Sequence, residues 1–470
     1  MSVRSSLLGN IGIIVVLNLL TKPIWVVTEN LVQNALGHTV WGGYGAILGF
    51  TLIVGALAEL GVNQYCTKTL SHQPEKYERL FPYFWGIKLV TGLLYFTLLL
   101  GLGWALGYTQ QIGLLLGIGF AQWIIGLVAF FRALMQARHD FKLDALAGVL
   151  DKTLLLLPVL FLLAVGISIH SFIAAVLGTS LFSLVLFGGW ALRRYGWVRP
   201  RLSLPQLRSI LGRSSHFALI FLLFMSLERL NLVLVERWAG EEANGLYQGA
   251  YRFFSMFQMY LWTVLPIFYA KFARNHLDAA PEQQRLFNTG QGVVAVPMLW
   301  IFLVLWHDNV FLFGLFKNSS PEQIGLMAET LRVMSLALLF NSVFNIYSTY
   351  LTASGRERYV NLLLILAILV DVVVLRSYVG ELGPVAGAYG LVAAFAVLSV
   401  GFVYSLWRTT VLRPPLLLLL KLLLVLALGQ GVFMLGNALD FSWVLVSLAA
   451  GLVMLGLSLA LRVIELRLRT

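Results

Sequence analysis

Four cations interrupt long apolar runs of this sequence: Lys22, Arg229, Arg252 and Arg332. A charge set inside such a run costs at least a few kcal/mol unless it faces a cavity or a partner. Arginine grips phosphate oxygens with a two-pronged guanidinium, and lysine acts as a point charge. Together the four describe a site for an anionic group. Each also has a plainer reading. Arg332 follows Glu329 at a spacing of three, which suits a local ion pair. Arg229 follows Glu228, but adjacent helical side chains diverge, so a partner would have to come from another helix. Arg252 has no acid within a turn of its own helix. Lys22 can extend its stem toward the interface, and Pro23 after it can bend its helix.

The acids inside apolar runs are Glu59, Asp151, Glu228 and Asp371. Glu59 lies near the end of its run, where a carboxylate suits a cap or a gate. Asp371 lies near the middle of its run and could carry a proton or hold a coupling cation. Asp151 adjoins Lys152, as interfacial pairs do. No catalytic or metal centre emerges. The single cysteine, Cys66, can make neither an intrachain disulfide nor a thiolate cluster. The seven histidines are scattered, and no cofactor is expected.

The elements that carry these residues follow from composition. Of 470 residues, 59% are hydrophobic and 11% charged, with a mean hydropathy of +0.85. A soluble chain is about 45–50% apolar and about 25% charged. Lipid must therefore be the solvent, and an all-α polytopic membrane protein is expected. About 20 apolar residues cross a bilayer as a helix. Apolar runs predict 14 spans, the first at 8–28, the second at 43–63, the third at 81–107, the fifth at 143–166 and the seventh at 215–238. The first is preceded by Arg4 and followed by no cleavage signal, so it is read as an uncleaved helix. No loop leaves room for a large extramembrane catalytic module.

With the N-terminus in the cytoplasm, the cytoplasmic loops, termini and adjoining helix ends hold 26 of the 33 Lys and Arg. The opposite side holds three, Arg237, Lys317 and Arg376. This positive-inside bias places both termini in the cytoplasm of a cell-membrane protein. It also accounts for the net charge of +12 without nucleic acid. The stretch 193–214 carries six arginines and divides the chain into an N-lobe, 1–213, and a C-lobe, 214–412. Two peripheral helices occupy 413–470.

A repeat links the lobes. Gly37, Gly42 and Tyr44 recur as Gly240, Gly245 and Tyr247, each 203 residues on. Both copies join the first two spans of a six-helix block, and such repeats build many two-lobed transporters. With Ala58-Glu59-Leu60-Gly61, the stretch Gly245–Arg252 and Ala353-Ser354-Gly355-Arg356, this chain resembles the polysaccharide transporters, the O-antigen-type flippases of the multidrug/oligosaccharidyl-lipid/polysaccharide exporter superfamily. The resemblance implies two six-helix bundles and alternating access. It implies a polyprenyl-pyrophosphate-linked oligosaccharide as substrate, with the pyrophosphate on Lys22, Arg229, Arg252 and Arg332. Partners would be membrane lipid and a polysaccharide polymerase or glycosyltransferases. The alternatives are a drug or cation antiporter of the same superfamily and, in a different class, a membrane-embedded polymerase or glycosyltransferase. An antiporter wants cavity carboxylates, and the enzymes usually need a large outer loop.

Overall fold

The computed structural model describes residues 23–72, 74–138, 140–274 and 280–464, and among them every regular element is helical. Helix α1 occupies residues 23–36. It is followed by α2 (His38–Glu59), α3 (Val62–His72), α4 (Tyr77–Ala105), α5 (Ile112–Ala137), α6 (Phe141–Thr153) and α7 (Leu156–Val165). Helix α8 runs over Ile169–Tyr195 with a π-helical turn at Leu184–Gly188, and α9 is Leu204–Ala239. The remainder are α10 (Glu241–Arg274), α11 (Ala280–His307), α12 (Pro321–Ala353), α13 (Glu357–Leu382), α14 (Pro384–Thr409), α15 (Leu416–Ala438) and α16 (Trp443–Ala460).

Among the described residues twelve helices are long and apolar enough to cross a membrane. The expected fifth span, 143–166, is instead two short helices, α6 and α7. Most of the expected first span lies outside the described residues. Local chemistry sets several ends. Ser320 accepts from the Gln323 N–H while the Gln323 side chain accepts from the Ser320 N–H, and Pro321 opens α12 with a φ already helical. Ser168 and Ser171 make the same reciprocal cap on α8. Leu60 and Gly61, at φ 53° and 68°, end α2 and turn the chain into α3.

The chain forms two compact units, 1–245 and 246–470. In the first, α9 packs along α2, and Trp41, Tyr44 and Phe172 form an aromatic cluster with ring centroids 4.9–5.6 Å apart. In the second, Phe344 meets Phe395 and Phe402 between α12 and α14. Helices α15 and α16 dock on α11. The Trp300 indole donates to the Ser447 carbonyl at 2.9 Å, and the His307 ring stacks on Phe433. Lipid supplies no hydrophobic drive between helices, so close packing and polar contacts of this kind must hold them. Outward side chains such as Leu93 and Leu417 are exposed and large, as a lipid-facing surface requires.

Candidate functional site

The two copies of the repeated turn pack on each other, and they do so reciprocally. Gly37 and Gly240 share one conformation, φ 83°, ψ 162° and φ 92°, ψ 170°. That region is essentially open only to glycine. A Cβ on Gly42 would lie 1.7 Å from the Glu241 carbonyl oxygen, and one on Gly245 would lie 2.0 Å from the His38 carbonyl oxygen. Glu241 stands 203 residues after His38, so each copy contacts the other through equivalent atoms. The side chains complete the pattern. Asn244 Nδ2 donates to the Gly42 carbonyl at 2.7 Å, and Gln33 Nε2 donates to the Gly245 carbonyl at 2.7 Å. Backbone touches backbone here because no side chain intervenes.

Further along α2, the first unit holds an open-sided cavity of about 190 Å³ lined by residues of α2, α4, α5 and α9. Glu59 and Lys88 face each other in it with Nζ 4.0 Å from Oε1. Their side chains are 17% and 8% exposed. Lys88 lies about 16 Å into α4, eleven residues from its start. Its ammonium also stands 5.8 Å above the Phe130 ring. Glu59 is the last residue of α2, where its charge opposes the helix dipole, and Lys88 offsets that. Thr51, Thr91, Tyr95, Gln122 and Trp123 add polar and aromatic lining.

Lys88 escapes sequence reasoning, which groups it with the cations of a cytoplasmic helix end. The one signal is its setting, Trp85-Gly86-Ile87 before it and Leu89-Val90 after. The expected candidates are distributed differently. Glu59 lines this cavity. Lys22 lies outside the described residues. Arg229 is half-buried on α9, at a point where α9 backbone comes against Gly49 of α2. Arg252 is buried at 6% exposure on α10, in the second unit, next to the stacked Tyr247 and Tyr251 rings. Arg332 is exposed; its Nε donates to the Trp306 carbonyl at 2.9 Å and its guanidinium covers the Trp306 ring. Asp371 is fully buried on α13, and a Cβ on Gly390 of α14 would lie 2.3 Å from its Oδ1. Among the described residues no three His, Cys, Asp or Glu are grouped to hold a metal ion.

The sequence matches the model of the polysaccharide biosynthesis protein family over residues 7–268. No curated protein matches it in sequence. Solved structures resemble the fold. One is the lipid II flippase MurJ in an inward closed conformation, with TM-score 0.72 and 13% identity over 96% of this chain and 99% of that one. Another is an inward-facing multidrug resistance MATE transporter of the MOP superfamily, with TM-score 0.68 and 14% identity over 82% and 94%. A third is a MOP superfamily transporter from Pyrococcus furiosus, with TM-score 0.58 and 17% identity over 83% and 95%. The chain therefore belongs to the polysaccharide biosynthesis protein family, on the two-lobed fold of these proteins. It is a multi-pass membrane protein.

Proposed function

We propose that this member of the polysaccharide biosynthesis protein family moves a polyprenyl-pyrophosphate-linked oligosaccharide across the cell membrane by alternating access. Both termini lie in the cytoplasm, where the lipid-linked glycan is made. Lys22, Arg229 and Arg252 receive the pyrophosphate, and the polyprenyl tail remains in lipid. Asp371 serves coupling, by carrying a proton or a cation as the site changes its access. A polysaccharide polymerase or glycosyltransferases would use or supply the glycan.

The observation that carries this reading is Arg252. It places a guanidinium, whose two-pronged fork fits phosphate oxygens, on a helix of the membrane domain, where charged side chains commonly mark a substrate path. Arg332, whose Nε donates to the Trp306 carbonyl, would add a fourth cation through its terminal guanidinium nitrogens. The test is glycan export in cells whose surface polysaccharide depends on this chain. The Arg229→Ala, Arg252→Ala double variant should insert normally and export none. Full export by that variant would refute the reading. The buried carboxylate of Asp371 favours a second reading, cation antiport. Under it Asp371→Asn would abolish extrusion of a cationic compound and the arginine variants would not.

A further inference from the structure

We infer that the cavity of the first unit is a saccharide subsite, in which two neighbouring hydroxyls of one sugar ring bridge Glu59 and Lys88. This rests on the oligosaccharide reading and extends it to residues that the phosphate site does not use.

The Glu59–Lys88 ion pair does not close. Nζ and Oε1 stand 4.0 Å apart, beyond hydrogen-bonding range. Glu59 Oε1 is buried and accepts no hydrogen bond from any described residue. Two charges withdrawn from water are compensated only when their remaining donors and acceptors are satisfied. The cavity lies where that satisfaction would come from, since both residues line it.

The chemistry of a group that would bridge them is constrained from both sides. A phosphate would satisfy Lys88 but would meet the like charge of Glu59. A metal cation would satisfy Glu59 but would meet Lys88. A neutral ligand that donates at one atom and accepts at the next suits both. A vicinal diol does this: one O–H donates to Glu59 Oε1, and the neighbouring hydroxyl oxygen accepts from Lys88 Nζ. The walls agree with a sugar. Tyr95 and Trp123 offer aromatic surface, and Thr51, Thr91 and Gln122 offer further polar groups. A cavity of about 190 Å³ has room for several waters, or for one pyranose ring in their place.

The subsite can be plugged without disturbing the fold. Gly126 lines the cavity, one turn along α5 from Gln122, and a Cβ added to it meets nothing within 4 Å. Gly126→Leu should fill the space. A second variant, Glu59→Leu with Lys88→Met, removes the polar pair and replaces it with apolar groups of similar bulk, an exchange buried pairs commonly tolerate.

The experiment uses the full chain in lipid nanodiscs. Its probes are bare polyprenyl pyrophosphate and the same carrier bearing one glucose, galactose or N-acetylglucosamine. The wild type should bind at least one sugar-bearing carrier about tenfold more tightly than the bare carrier. Both variants should lose that preference while keeping the affinity for the bare carrier and an unchanged melting profile. A preference that survives in either folded variant overturns the subsite. A wild type that binds all carriers equally overturns the subsite and leaves the phosphate reading standing. Binding of neither kind of carrier overturns both.

Discussion

Buried charge is handled in opposite ways in the two units. In the first, Glu59 and Lys88 face open space and stand 4.0 Å apart. In the second, Asp371 is sealed inside the α13–α14 hairpin, with the α14 backbone at Gly390 pressed onto its carboxylate. Glycine serves both arrangements. At Gly126 it leaves room in a cavity, and at Gly390 it lets a helix approach a charge. A slack pair beside a void suits a ligand that arrives and leaves. A carboxylate packed under backbone suits an ion or proton with no room for anything larger.

The contrast can be broken most forcefully at Asp371. Asp371→Asn keeps the shape and removes the charge. Export should fall about a hundredfold, equivalent to about 2.7 kcal/mol, with normal membrane insertion, measured as surface glycan per inserted protein. Wild-type export would assign Asp371 to packing. Gly390→Ala comes next. Its methyl must displace the Asp371 carboxylate, so about 2–4 kcal/mol of stability should be lost, read as a lower thermal midpoint in detergent. In the first unit, Lys88→Met strands the Glu59 charge and should cost about 2 kcal/mol, less than a fully buried pair because Glu59 is 17% exposed. The apolar double variant should recover most of that, and a double variant no more stable than the single would contradict the pairing. The smallest effect belongs to Gly126→Ala. Adding a methyl to open space on a helix should stabilise by about 0.5–1 kcal/mol, the reverse of Gly390→Ala. Equal signs at the two glycines would dissolve the comparison.

Cys66 offers a check on the packing of the first unit by a different route. It is fully buried on α3, and burial pushes its thiol up to about 12. Maleimide at neutral pH should leave the folded protein unlabelled from either face of the membrane, and label it only after denaturation. Labelling of the native protein would mean that the α3–α5 packing opens.

Much of this was legible in the sequence, because lipid enforces long apolar helices and the repeated turns depend on local glycine chemistry. Gly37 and Gly240 were readable as matching helix ends, and they adopt matching dihedrals. The reciprocal docking of Gly42 and Gly245 was not readable, since spacing says nothing of which backbones touch. Glu59 stood out because an acid interrupts an apolar run. Lys88 did not, because a run with one lysine near its start looks like a helix end. Its role depends on the Leu60–Gly61 break that aims Glu59, and on a partner 29 residues away. Arg332 was misleading in the other direction. Glu329 was the partner its spacing offered, whereas Trp306, from a different helix, is the one it contacts.

The central claim, that this chain carries a pyrophosphate-linked glycan on intramembrane arginines, is tested most directly in proteoliposomes. A fluorescent polyprenyl-pyrophosphate oligosaccharide is loaded in both leaflets, and its exposure to an impermeant quencher is followed over time. The wild type should render the protected fraction quenchable, and the Arg229→Ala, Arg252→Ala double variant, equally well folded and incorporated, should leave it protected. No acceleration by the wild type, or equal acceleration by the double variant, would contradict the account.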